Sequence, residues 1–157
     1  MQTSDTQANA QAQINKPLLQ LGARGEAVRE LQVLLTNLSV YIGTIDGIFG
    51  RDVKSAVIAY QHRVFLVEDG IVGPLTWQAL YAGGPVNMPI LQQGSKGKTV
   101  LTLQRLLNIT KDYLGAIDGD FGSGTKAAVQ AFQKRSGLAT DGIVGDRTWN
   151  ALSKIPH

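Results

Sequence analysis

Apolar residues recur along this chain at helical spacing, in three short stretches that are then repeated. After Gly25, the residues Val28, Leu31, Leu35 and Leu38 fall on one face of a helix; after Gly97, Val100, Leu103 and Leu107 do the same. A second stripe, Val53, Ala56, Val57, Tyr60 and Val64, has its match in Thr125, Ala128, Val129 and Phe132. A shorter third segment runs from Pro74 to Leu80, or from Asp146 to Leu152. Pro74 suits a first helical turn, where a missing N–H costs nothing. Short amphipathic helices joined by Gly-rich corners predict an all-α fold, with two compact three-helix modules in tandem.

The corners between the helices are spelled twice. Asp46-Gly47-Ile48-Phe49-Gly50 returns as Asp118-Gly119-Asp120-Phe121-Gly122, and DGIVG occurs at 69–73 and again at 141–145. Asp-Gly marks a turn, because Asp bonds its own downstream backbone and Gly accepts positive φ without steric cost. Gly47 and Gly119, Gly70 and Gly142, and Trp77 and Trp149 are each 72 residues apart. Residues 19–80 lie over 91–152 without a gap and with roughly half the positions identical. A period of 72 exceeds the range of about 20 to 50 residues expected of solenoids and propellers, so each copy reads as a module with its own core. The predicted organisation is a disordered leader over 1–16, rich in Gln, Ala, Asn and Thr, then module one over 17–81. A short linker over 82–89 follows, in the Gly- and Pro-bearing stretch YAGGPVNMPI, and module two covers 90–155.

Composition narrows the chemistry. At 43% hydrophobic and 17% charged residues, the repeats are ordinary globular material. The chain has no cysteine, which removes disulfides, thiolate metal sites and a Cys nucleophile. No apolar run reaches the roughly 18 residues of a membrane span, and residues 1–16 lack the apolar centre of a secretory signal. The net charge of +3 is lopsided. Residues 19–80 carry five Lys and Arg against six Asp and Glu, giving −1, whereas residues 91–152 carry eight against five, giving +3. The lysines are scattered with no dense run, so nucleic acid is not the expected partner.

The combined pattern resembles the tandem peptidoglycan-binding domain family, the three-helix modules of bacterial cell-wall hydrolases, spore-cortex enzymes and phage lysins. The residues that carry the resemblance in the second copy begin with Gly97, Val100, Leu103 and Gln104, followed by Asp118, Gly119, Phe121, Gly122, Thr125, Ala128, Val129, Phe132 and Gln133. They end with Gly137, Leu138, Asp141, Gly142, Val144, Gly145, Thr148, Trp149 and Leu152. The first copy departs at Val53, where the pattern has Thr, and at Phe65, where it has Gly. A Gly after a helix usually takes the left-handed conformation, so Phe65 is expected either to be strained or to sit in a rebuilt corner. Its apolar setting predicts packing against the linker, the second copy or a partner.

The resemblance implies binding of peptidoglycan without catalysis, by a shallow surface of loops and helix ends. Amino sugars offer C–H faces for aromatic rings, and the stem peptides offer carboxylates for Lys or Arg. Tyr41 and Tyr113, before a Gly-containing corner, are the preferred stacking candidates. Trp77 and Trp149 either pack in the core or line a groove. Asp46, Asp69, Asp118 and Asp141 either bond the ligand or serve as turn and helix-cap residues. Gln61 and Gln133 either meet the ligand or bond loop carbonyls, as buried amides must be satisfied. Arg147, with Lys134 and Arg135, is a candidate for ligand carboxylates or else part of a solvated face.

Enzyme chemistry has little to stand on. A hydrolytic zinc needs about three protein ligands, whereas the chain has His62 and His157 and no H-E-x-x-H. A nucleophile elbow, a P-loop and a dinucleotide fingerprint are missing from the sequence, and the repeated aspartates all belong to Asp-Gly turns. With the resemblance, which implies the bacterial cell envelope and the tethering of the chain or a catalytic or assembly partner to the wall, the expectation is a protein without metal or cofactor. The alternative is a structural component of an envelope or phage-tail-like assembly, using the same modules for protein contacts.

Overall fold

The computed structural model describes residues 15–157. The segment predicted as a leader lies outside the described residues up to residue 14. Of its last two residues, Lys16 places its ammonium 3.0 Å from the carboxylate of Glu30. The described chain divides into two compact units between Val86 and Asn87. The first contains α1 (Glu26–Asn37), α2 (Arg51–Arg63) and α3 (Pro74–Ala82); the second contains α4 (Lys98–Ile109), α5 (Ser123–Arg135) and α6 (Asp146–Ser153). The fold is all-α, with isolated antiparallel bridges and no strand among the described residues.

Each helix follows a glycine N-cap, at Gly25, Gly50, Gly73, Gly97, Gly122 and Gly145, and none receives a side-chain cap bond. The aspartates of the corners therefore do not cap helices. Helix α3 runs to Ala82, two residues beyond the predicted end, and closes where Gly83 turns left-handed with φ 72°. The two extra residues place the Tyr81 ring over Trp77, with centroids 6.0 Å apart.

In the first unit the apolar stripes meet in a core. Val28, Leu31 and Leu35 of α1 join Val53, Val57 and Tyr60 of α2 and Trp77 and Leu80 of α3. Loop residues Leu19, Tyr41, Phe49 and Val72 complete it. The second unit buries the counterparts Val100, Leu103, Leu107, Val129, Phe132, Trp149 and Leu152, with Leu91, Tyr113, Phe121 and Val144 from its loops. Each fully buried aliphatic or aromatic side chain contributes about 1.5–3 kcal/mol, so these cores supply the main stabilisation of each unit.

The DGxVG loops tie down the segment that enters each unit. Leu19 and Val72 exchange two backbone hydrogen bonds of 3.1 and 2.8 Å, as do Leu91 and Val144. The DGxFG loops hold the corner before the first helix in the same way: Gly25 N–H donates to Gly47 at 2.9 Å and Gly97 N–H to Gly119 at 3.0 Å. This close approach also explains the repeated glycine. A Cβ at Gly47 would stand 3.1 Å from the Gly25 carbonyl oxygen, and one at Gly119 would stand 3.2 Å from that of Gly97. Both residues have positive φ as well, 75° and 77°.

The corner at Phe65 is not rebuilt. Phe65 holds φ 66°, close to the 73° of Gly137 at the equivalent place. The hydrogen bonds match too: Leu66 N–H to Gln61 at 2.9 Å, and Leu138 N–H to Gln133 at 2.8 Å. The first unit therefore keeps a left-handed helix end with a bulky residue in it. Phe65 is half-buried, and Leu66 beside it packs on the core of the first unit.

Candidate functional site

Four glutamines organise the repeated corners. The amide of Gln61 donates to the Asp69 carboxylate at 2.9 Å, the Ile71 carbonyl at 3.0 Å and the Thr76 hydroxyl at 3.1 Å, while its oxygen accepts the Gly70 N–H at 3.0 Å. Gln133 repeats this with Asp141, Ile143, Thr148 and Gly142 at 2.9–3.1 Å. Gln104 does so at the other corner of the second unit, with Asp118, Asp120, Thr125 and Gly119. Gln32 clamps Asp46, Ile48 and Gly47. Here the departure at Val53 is felt: the hydroxyl that Thr125 offers Gln104 is missing, and a long 3.4 Å contact with the Tyr41 hydroxyl stands in for it. All four glutamines are fully or nearly fully buried, so their partners must come from the chain itself.

Each clamped aspartate also accepts the backbone N–H two residues on, at 3.0 Å, which is the Asx turn. These bonds hold the carboxylates below the usual aspartate range. For Asp69, Asp118 and Asp141 the backbone N–H has the largest effect and the glutamine amide assists; for Asp46 the Gln32 amide leads. Hydrogen bonding to the charged form is the cause in every case.

The aromatic candidates lie inside. Trp77 and Trp149 are 0% and 1% exposed, and their indole N–H groups donate to the carbonyls of Pro17 and Pro89 at 2.9 and 2.8 Å. Tyr41 and Tyr113 are 4% and 9% exposed. Each ring lies against a glycine: a Cβ at Gly43 or Gly115 would come within 2.7 or 2.8 Å of it. Their hydroxyls donate to the carbonyls of Thr44 and Ala116 at 2.7 and 2.6 Å. Burial, then the nearby Asp52 carboxylate, pushes the Tyr41 hydroxyl above its ordinary range.

What faces solvent at this corner is the next residue. Ile42 is 99% exposed and its counterpart Leu114 is 78% exposed. In the first unit Ile42 borders an open cleft of about 460 Å³, with Val40, Tyr41, Gly43, Asp52 and Ser55 around it. Among the cation candidates, Arg135 is engaged internally, forking onto Asp112 at 3.1 and 2.8 Å with its guanidinium 5.4 Å from the Phe132 ring centre. Arg147 borders a second open cleft, of about 480 Å³, together with Lys154 and Asn150.

The structure thus joins Gln61 to Asp69 and Gln133 to Asp141, ties Asp46 and Asp118 to Gln32 and Gln104, and places Trp77 and Trp149 apart from them in the cores. Ile42, Leu114 and Lys154 escaped sequence reasoning. The matched apolar pair after the tyrosines was the available signal for the first two, and the seven-residue spacing from Arg147 was the signal for Lys154. Among the described residues no cluster of His, Asp or Glu is arranged to hold a metal ion, and no helix is long and apolar enough to cross a membrane.

The duplicated corners have a counterpart in known proteins. The family described as "Putative peptidoglycan binding domain" matches twice, over residues 24–80 and 96–152. The chain belongs to the peptidoglycan-binding domain family. Both matches span all three helices of their unit, from the corner before the first helix into the third. The chain is 34% identical over 150 residues to the N-acetylmuramoyl-L-alanine amidase CwlM of Mycobacterium tuberculosis, covering 85% of this chain and 37% of that protein. It is 46% identical over 70 residues to the zinc D-Ala-D-Ala carboxypeptidase of Streptomyces albus G, covering 41% of this chain and 26% of that enzyme. A spore cortex-lytic enzyme of Bacillus cereus is 40% identical over 65 residues, covering 41% of this chain and 25% of that enzyme. The chain therefore spans about a quarter to two fifths of the length of these relatives. Peptidoglycan-binding domains account for most of it and associate it with the bacterial cell wall.

Proposed function

We propose that the two domains bind peptidoglycan without catalysing any reaction on it, and tether the chain, or a catalytic or assembly partner, to the bacterial wall. The observation that carries this reading is the repetition, inside two in-register peptidoglycan-binding domains, of an apolar residue standing in solvent at one corner, Ile42 and Leu114. A side chain with no core to serve has a reason to be apolar if it meets the C–H faces of sugars. The tyrosine beneath, braced on a glycine and hydrogen-bonded at its hydroxyl, makes that corner a stiff platform. In this reading Gln61, Gln133, the four turn aspartates, Trp77 and Trp149 build the scaffold. The contact surface consists of the corner with the rims of Tyr41 and Tyr113, and the Arg147 side of the second unit.

Co-sedimentation with purified sacculi tests the proposal. Wild type is expected to pellet without releasing soluble fragments, Ile42→Ser or Leu114→Ser to pellet less, and the double variant to stay largely in the supernatant while folded. A folded wild-type chain that never pellets would remove wall binding and turn attention to a protein partner. Release of soluble muropeptides by the pure chain would remove the non-catalytic part.

A further inference from the structure

The two units are near copies, yet the corner between the second and third helices carries different side chains in each. In the second unit this corner forms an open cleft of about 480 Å³. Its lining joins Ser136 and Leu138, on either side of the left-handed Gly137, to Arg147, Asn150, Ala151 and Lys154. The last four are spaced by three, one and three residues, so they share one face of α6 and its C-terminal end. Both cations are exposed. Two of the unit's other basic residues meet acids within the chain, Arg135 at Asp112 and Lys96 at Asp120. Arg147 and Lys154 line the cleft together with Asn150 and Leu138, two positive groups and an amide beside an apolar side chain.

The equivalent positions in the first unit carry no charge. Lys154 corresponds to Ala82, Arg147 to Leu75, Asn150 to Gln78 and Ser136 to Val64, with Phe65 in the place of Gly137. Leu75 is 45% exposed, so the change does not exchange a core residue for a surface one; it exchanges an apolar surface for a basic one. This local difference belongs to the wider imbalance in which residues 19–80 carry −1 and residues 91–152 carry +3.

We infer that this cleft is a carboxylate-binding subsite, present in the second domain alone, which takes the acidic peptide portion of peptidoglycan between Arg147 and Lys154. The inference rests on the wall-binding reading and deepens it. The guanidinium of Arg147 offers paired N–H donors that suit a carboxylate, Lys154 adds a second charge, and Asn150 can meet a peptide amide. The two domains then do different work: both offer an apolar corner to the glycan, and only the second holds an anion. Because the groups are exposed, the interaction is screened by salt, with a Debye length of about 8 Å at physiological ionic strength.

The test uses the full chain and sacculi free of phosphodiester polymers, with the double variant Arg147→Gln/Lys154→Gln. The control is Lys98→Gln/Arg105→Gln, which removes the same net charge from two exposed residues at the same seven-residue spacing on α4. The cleft variant is expected to bind about tenfold more weakly at low salt, with a flatter salt dependence, since two charge-assisted contacts are lost. The control is expected to bind like wild type. Amidating the sacculus carboxyl groups should lower wild-type binding to the level of the cleft variant and leave that variant unchanged. Equal losses in the cleft and control variants would overturn the subsite, because net charge alone would then account for the effect. Insensitivity to amidation would overturn it as well. A wild type that does not sediment at all would overturn the wall-binding reading together with the subsite, whereas loss confined to the subsite leaves wall binding standing.

Discussion

Gln133 shows how much one side chain decides here. The residue is itself only 1% exposed; its amide serves an aspartate, a carbonyl and a threonine, and its oxygen holds the Gly142 N–H. Gln133→Leu keeps the volume but strands the Gly142 N–H and the Thr148 hydroxyl. A cost of about 2 kcal/mol or more is expected, seen as a lower urea midpoint. The turn aspartates make a separate prediction. Their pKa values are depressed in the folded chain, so the unfolded state binds protons more readily. Their contribution is complete above the unfolded aspartate pKa of about 4 and is lost as pH falls through the lower folded values. The thermal midpoint should therefore drop steeply below about pH 4, and replacing all four with Asn should flatten that drop. The glutamines were legible in the sequence as repeated residues. Their partners were not, because only folding brings Gln133 to an aspartate eight positions away and a threonine fifteen away.

At the scale of elements, the first two helices of each copy could be read from apolar spacing and the third from its place in the repeat and from Pro74, because a 3.6-residue period leaves its mark wherever a longer helix packs on a core. The end of α3 could not: Tyr81 and Ala82 sit in a Gly- and Pro-rich stretch, and the stop comes only at Gly83. The corner after α2 was half legible. The unusual residue was visible, but the chain kept the left-handed turn instead of rebuilding it, since the hydrogen bonds that close the helix need that geometry. The conformation costs a non-glycine residue about 1–2 kcal/mol. Gly137→Ala should accordingly lower stability by about 1 kcal/mol, although nothing lies within 4 Å of the added Cβ. Phe65→Gly should raise the thermal midpoint of the first unit, less whatever packing the half-buried ring contributes; a clear fall would show that the ring's contacts outweigh the strain.

At the scale of the whole molecule, the proposed wall binding by both domains makes valency the main functional lever. Two weak sites on one chain gain about 100-fold when both engage the same polymer. Ile42→Ser and Leu114→Ser should therefore each cost much of that advantage in sacculus binding. In the double variant, the residual binding should be the salt-sensitive part carried by the second unit. A binding isotherm for each variant at low and moderate salt measures this. Equal binding by all three variants and wild type would remove the corner from the contact surface.

The sequence by itself determined the helices, the duplication and the family, because periodicity, turn chemistry and register are local or near-local properties that survive in one dimension. The tertiary structure decided which repeated residues face inward. Tyr41, Tyr113, Trp77 and Trp149 carry polar groups that suit either a core or a binding face, and only packing shows that chain carbonyls satisfy those groups. Folding likewise turned the repeated aspartates into turn anchors and left Ile42 and Leu114 in solvent. It also brought Ser136 and Leu138 up to the Arg147 and Lys154 face of α6 to make one cleft. Burial is a property of the assembled core, and a one-dimensional pattern records which side chains can be buried but not which of them are.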